Sequence, residues 1–375
     1  MTYDFLQHYW CFIVAFLGGL LVSMFFVQGI NAVAHSLGYT DKKRRPMYNS
    51  IGRKWVLTFA VLVMFGIAFF ASFPMFFSVS LDAAYLLWAI LLFTFVLQLV
   101  SSEFQYKVKN PAIFQFFLTL NGYIGPILFG CLIATFFEGA SFIVEKSYTA
   151  DASAATPVSI QWENAWYGLD DLANPWVLVL SVDIFFLSRI LGILYLVNKL
   201  TDEEIRSNGY GRLIAATIHF VVLFLIFFVH LLLKEGYAYN ESGFIYMEQG
   251  KYLANFTHMW YLSVTLLAGL ALVLYGTLRT IFDKTYIYGI SPAGMGAILI
   301  VMALMLFAMW NGTAFYPSSV DLQSSLTMAN SCGSEFTLRA MFYASLPVIL
   351  GLVYGIYRWW AVSSKKLYKE ENKEI

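Results

Sequence analysis

The sequence predicts an all-α integral membrane protein of nine transmembrane helices. They form two four-helix bundles plus a peripheral ninth helix, with the N-terminus outside and the C-terminus inside. Three observations predict this. Only 12% of the 375 residues are charged and 59% are hydrophobic, with a mean hydropathy of +0.68. A soluble domain needs about 25% charged residues to cover its surface. Nine apolar runs are long enough to cross a bilayer, which takes about 20 residues. Lysine and arginine fall almost entirely on alternate links between those runs.

The runs cover 9–34, 55–76, 81–101, 112–137, 174–198, 211–233, 258–281, 292–315 and 336–360. The sixth, LIAATIHFVVLFLIFFVHLLL, is the clearest. Only a short link after Pro74 separates the second from the third. That predicts a tight hairpin, because proline cannot continue a helix ladder. The longest link, Glu138 to Asn174, divides four helices from five. Its TADASAATP run is expected to be mobile, and its QWENAWYGLDD run to pack on the membrane surface. The domains are then 1–138 (first bundle), 139–173 (outer-face loop), 174–316 (second bundle) and 317–375 (link, ninth helix and basic tail).

Positive charge sets the orientation. One side holds Lys42, Lys43, Arg44, Arg45, Arg53 and Lys54, then Lys107 and Lys109, then Lys199, Arg206 and Arg212. It also holds Arg279 and Lys284, and the tail residues Arg358, Lys365, Lys366, Lys369 and Lys373. The other side holds Lys146, Lys234 and Lys251. The rich side is read as inside. A missed or invented span would scramble this division, so it also supports the count. The start, MTYD, lacks the basic region of a cleaved signal peptide.

Net charge is zero, which argues against nucleic acid as a partner. Cys11, Cys131 and Cys332 lie far apart with no CxxC spacing, so neither a disulfide framework nor a thiolate metal site is indicated. No P-loop, GxGxxG, HExxH or GxSxG pattern occurs in a suitable context.

Four polar groups within the apolar runs are candidates. His219 and His230 are eleven residues apart on the sixth helix, hence on one face and about 16 Å apart. Stacked histidines hold haems in membrane cytochromes, but that needs a second helix with a matching pair. His35 and His258 are single and separate, so interhelical hydrogen bonding is the plainer reading. Asp183 and Arg189, spaced i, i+6, lie on opposite sides of the fifth helix. They are expected to find polar partners on neighbouring helices, or to belong to a proton or ion route. Glu335 and Arg339 read as a helix-end pair. Gln28 and Asn31 flank Gly29, which suggests close helix packing with amide hydrogen bonds.

The stretch RRPMYNSIGRKW…FGIAFFASFPMFF…LDAAYLL…SSEFQYK resembles subunit II of the cytochrome bd ubiquinol oxidase family. Asn49, Trp55, Phe73 and Pro74 carry that likeness, as does the pair Glu103-Phe104. The far segment AFYPSSVDLQSSLTMANSCGSEFTLRAMFYASLPVILGLVYGIYRWW resembles the family's closing pattern. The resemblance implies a complex in the bacterial inner membrane that oxidises quinol and reduces oxygen to water. It implies no cofactor on this chain and haems on a partner, subunit I. A bound quinone or lipid, and a small accessory subunit, are compatible with it.

Departures accompany the likeness. Family members begin the second helix Trp-Asp-Gly-Asn-(Gln/Glu)-Val-Trp; here the positions read Trp55-Val56-Leu57-Thr58-Phe59-Ala60-Val61. The first helix's Asp-Gly-Phe-Asp is Gln28-Gly29-Ile30-Asn31. The resemblance therefore implies a subunit that has lost the carboxylates of a proton route. Two rival readings stay open: a secondary transporter with a site near Asp183 and Arg189, and a cytochrome subunit ligating haem through His219 and His230.

Overall fold

The computed structural model of this chain describes residues 2–52, 54–144, 160–162, 166, 168–200, 202–347, 350, 351 and 354. It is predominantly helical. Among the described residues, eight helical spans are long and apolar enough to cross a membrane. The first is built from α1 (Tyr3–Met24) and α2 (Phe26–Leu37), and a short basic helix, α3 (Asp41–Ile51), follows. Next come α4 (Lys54–Ser72), α5 (Pro74–Ala83), α6 (Tyr85–Phe104) and α7 (Ala112–Glu138). The second half contains α8 (Pro175–Lys199), α9 (Glu203–Leu233), α10 (Lys251–His258), α11 (Trp260–Phe282) and α12 (Ile290–Met309). The ninth run is helical over 335–347. The rest of it, the basic tail, Arg53, Lys146 and the TADASAATP run lie outside the described residues.

Three expectations are corrected. The first span starts at Tyr3, not residue 9. Thr2 caps it by accepting from the Phe5 amide, and Asp4 suits the positive end of the helix dipole. Its polar start is tolerated because it docks on the segment before the ninth helix. Tyr3 donates to the Gly333 carbonyl at 3.0 Å and the Trp10 indole to that of Leu338 at 3.2 Å. Second, Pro74 does not sit in a tight hairpin. It ends α4 and opens α5, whose first turn needs no amide donor at that position. Third, the links are not wholly helical or irregular. Strands β1 (Phe142–Val144) and β2 (Ile160–Trp162) pair antiparallel, as do β3 (Glu235–Tyr239) and β4 (Ile245–Gln249).

Glycine decides how closely the spans approach. A Cβ on Gly29 would lie 1.9 Å from the Ser188 carbonyl oxygen. A Cβ on Gly192 would lie 2.5 Å from the backbone of Gly29 and Ile30. On the other side of α2, a Cβ on Gly122 would lie 2.5 Å from the Ala32 amide nitrogen. Thus α2 is held between α7 and α8 at backbone contact. In lipid this matters, because hydrocarbon is as apolar as leucine and helices associate by packing and hydrogen bonds. One continuous apolar core runs through both sets of four spans, from Leu6 on α1 to Met309 on α12.

The end of the bundle nearer α3 is tied by cations. Lys43 pairs with Glu204. Arg212 donates to the Ser36 carbonyl at 2.7 Å and Arg206 to that of Lys284 at 2.8 Å. Lys54 donates to the Ser50 carbonyl at 2.9 Å and to the Tyr195 hydroxyl. The opposite end is closed by residues 313–331. The amide of Ala140 donates to Pro317 and that of Ser319 to Ala140, both at 3.0 Å. Thr327 and Asn330 form a capping box that opens α13 (Met328–Ser331). Before α8, Asp171 is buried in a 3-10 turn, and its Oδ2 finds no hydrogen-bond partner among the described residues.

Two tests follow from this packing. Gly29→Ala should destabilise the chain by about 3 kcal/mol through overpacking. Gly66→Ala, where an added Cβ meets nothing within 4 Å, should change stability by less than about 0.5 kcal/mol. Thermal unfolding in detergent compares them, and equal effects would refute the tight crossing. Burial, then the neighbouring Asp170, pushes Asp171 up to about 8. The fold therefore keeps a proton that the unfolded chain releases above about pH 4. Stability should fall as pH rises through that window to about 8. Asp171→Asn should flatten the slope and raise Tm at pH 8, leaving Tm at pH 4 unchanged.

Candidate functional site

A group of buried amides converges within the first four spans, on the side of α3. Gln28 sits on α2 one residue from the Gly29 crossing and is fully buried. Its Nε2 donates to Gln98 Oε1 on α6 at 2.9 Å and to Asn121 Oδ1 on α7 at 3.3 Å. The geometry has a local cause. Gly122, beside Asn121, lets α7 touch the backbone of α2, so short amides reach across. Gln28 Oε1, Gln98 Nε2, Asn121 Nδ2 and both Asn31 amide atoms are buried and find no hydrogen-bond partner among the described residues.

Asn31 and Gln98 line a chamber of about 230 Å³. Its other walls include Tyr48, Asn49, Gln105 and Glu103. A chamber of that size with several converging amides is large enough and polar enough to admit water, each molecule taking about 30 Å³. The arrangement can conduct hydrogen bonds from the α3 end to the Gln28 cluster. Among the described residues, Glu103 is the one carboxyl in the chamber wall; the amides beyond it cannot ionise.

The structure brings together Gln28, Gly29, Asn31 and Asn49. It separates the other motif residues from them. Trp55 is buried in the core. Phe73 is fully buried against Phe69 and Phe315, with ring centroids 5.9 and 5.6 Å apart. Pro74 begins α5. Val56 is 45% exposed and turned away from the interior, whereas Val61 is buried.

Asp183 and Arg189 do not meet, and among the described residues neither makes a side-chain hydrogen bond or ion pair to a neighbouring helix, although Tyr123 on α7 lies within electrostatic reach of Arg189. Asp183 is 1% exposed, and its Oδ1 accepts no hydrogen bond. The Arg189 guanidinium instead lies over the rings of Phe185 and Phe186, at 5.4 and 5.9 Å. An aromatic face offers a partly desolvated cation electrostatic compensation without an acid. Glu335 and Arg339 do pair at the start of the ninth helix.

The two histidines of α9 lie in different surroundings. His219 is exposed, hydrogen-bonded through Nδ1 to the Ala215 carbonyl at 2.7 Å and stacked on Phe186 at 4.7 Å. His230 Nε2 lies 3.0 Å from Glu138 Oε1, and its ring stacks on Trp176 at 3.6 Å. Lys234 reaches Glu138 Oε2 at 2.6 Å. Burial pulls the Lys234 ammonium down from its ordinary range, and Glu138 opposes that. Glu138 thus links the ends of α7 and α9. His230 thus has a carboxylate and an indole as neighbours, whereas His219 has a backbone carbonyl and a phenyl ring.

Gln98, Asn121 and Glu138 were missed by the sequence reading. A signal existed for two of them. Gln98 is a lone amide in an apolar run, and Asn121-Gly122 repeats the amide–glycine pairing of Gln28-Gly29.

Comparison with known proteins agrees with this architecture. The family model described as cytochrome bd terminal oxidase subunit II matches residues 6–362. A cytochrome bd-I ubiquinol oxidase subunit 2 from Escherichia coli K12 is 22% identical, over 96% of this chain and 95% of its own. A cytochrome bd ubiquinol oxidase subunit 2 from Bacillus subtilis is 21% identical, over 94% of each. The bd oxidase structure from Geobacillus thermodenitrificans has a chain that superposes with a TM-score of 0.63 at 9% identity, covering 99% of this chain and 98% of that one. With the family model spanning almost the whole chain, this protein belongs to the cytochrome bd terminal oxidase subunit II family.

Proposed function

We propose that this chain is the haem-free subunit II of a bd-type quinol:oxygen oxidoreductase. It pairs with a haem-bearing subunit I in the bacterial inner membrane and supports assembly and stability of the complex. Membership of the family along residues 6–362 carries the reading. The lysine and arginine distribution supports an outer N-terminus and an inner C-terminus.

Within that complex the chain's interior contributes packing and hydrogen bonds, not ionisation. Gln28 and Asn31 stand where the family has carboxylates, and Val56 faces outward. Amides orient water but carry no proton by ionising. Protons then reach the haem side through the partner or another path.

Purification of the tagged chain from its own membranes, with identification of co-purifying proteins and a pyridine haemochrome spectrum, tests the assignment. A larger haem-bearing partner is expected. A lone chain without haem would favour a transporter, and haem retained after the partner is removed would favour a cytochrome. His219→Ala/His230→Ala should leave the haem content of the complex within about 20%, since removing an axial ligand abolishes binding rather than trimming it. Gln28→Leu and Asn31→Leu should keep the pH profile of turnover wherever assembly survives. A pH-dependent loss of turnover in an assembled variant would overturn the amide reading.

A further inference from the structure

A second, larger cavity opens outside the chamber of Asn31. It lies between α3 and the link from α6 to α7, and its volume is about 510 Å³. Small-ligand sites run from about 300 to 1,000 Å³. Lys42, Arg45 and Lys109 line it, and no carboxylate does. Neighbouring cations are already engaged: Lys43 with Glu204, Arg44 with His35, Lys54 with Tyr195. Lys42, Arg45 and Lys109 have no acidic partner among the described residues.

The walls add neutral donors. Gln105 and Gln115 are more than nine-tenths buried and line the cavity. Neither side-chain amide makes a hydrogen bond among the described residues. Tyr48, Asn49 and Tyr106 complete the polar lining. Three cations together with buried donors fit a phosphodiester oxygen pair and adjacent hydroxyls.

The surroundings identify the source of that phosphodiester. The cavity lies where α6 ends at Phe104 and α7 begins at Ala112, which is the level at which two spans leave the hydrocarbon. Val108 lines it, and Phe104, Ile113 and Phe116 stand within two residues of its lining in the chain; all four are exposed. They put exposed apolar surface on the two helix ends beside the cavity. A free phosphate or a nucleotide would have no use for it; acyl chains would. Basic pockets between helices at a membrane boundary are where anionic headgroups bind.

We propose that this cavity binds the headgroup of an anionic glycerophospholipid, with its phosphodiester held by Lys42, Arg45 and Lys109 and its acyl chains along Phe104, Ile113 and Phe116. The lipid would bridge α3 to the α6–α7 link and shield the chamber behind it. The site is independent of the haem-free reading.

The test uses the full chain in its complex, purified in mild detergent. Bound lipid is measured by native mass spectrometry and by phosphorus in the organic and aqueous phases of an extract. One anionic lipid per chain is expected. Each of Lys42→Gln, Arg45→Gln and Lys109→Gln should weaken retention about five-fold, the effect of one basic residue near an anionic surface. Lys42→Arg/Lys109→Arg should retain the lipid, and Arg279→Gln/Lys284→Gln elsewhere on the chain should not change it. Unchanged lipid in the three single variants would overturn the proposal. So would equal loss in the Arg279/Lys284 control, or phosphorus recovered only in the aqueous phase. Elution volume and Tm identify any variant that fails to fold; the remaining single variants then decide.

Discussion

The close crossing of α2 with α8 and α7 is the constraint on which the rest depends. Gly29 and Gly192 bring two backbones together where no Cβ fits, and Gly122 does the same on the other side. A bilayer gives helices no hydrophobic reason to associate. Short contact distances and interhelical hydrogen bonds must supply it. The first span therefore becomes the axis of the bundle. It touches α12 at Gly19, where a Cβ would lie 2.5 Å from the Ile298 carbonyl oxygen. The two groups of four spans consequently share one core.

The same crossing explains the buried amides. Side chains as short as asparagine bridge helices only when the backbones are close. Gln28 and Asn121 each sit beside a glycine that creates the approach. Their mutual bonds offset part of the cost of burying amides, and Asn31 and Gln98 beside them line a chamber. At the end opposite α3, residues 313–331 and the β ribbons satisfy the backbone, while Glu138 joins His230 and Lys234.

The intramembrane charges show how differently single residues are accommodated. Arg189 spreads its charge over two phenyl rings. Asp183 is buried with an unbonded oxygen. Neither builds a site with the other, because six residues on a helix separate them by most of a half-turn. A transporter site would gather such groups at the midplane around broken helices; here they stay apart.

Much was legible in the sequence. Apolar run length located the spans, because the thickness of a bilayer sets helix length directly. Gln28-Gly29 announced a tight crossing, because a glycine between amides has few other uses in a lipid-facing run. The order of motifs pointed to the family. Other features had no local signature. The start of α1 at Tyr3 depends on its docking against residues 328–338, and α5 exists because Pro74 both ends one helix and begins another. Asn121, Gln98 and Gln28 lie on three helices far apart in sequence, and only their meeting makes a cluster. Hydropathy is written residue by residue and survives in the sequence. Which faces touch, and which polar atoms remain over, are settled by backbone distance in the folded bundle.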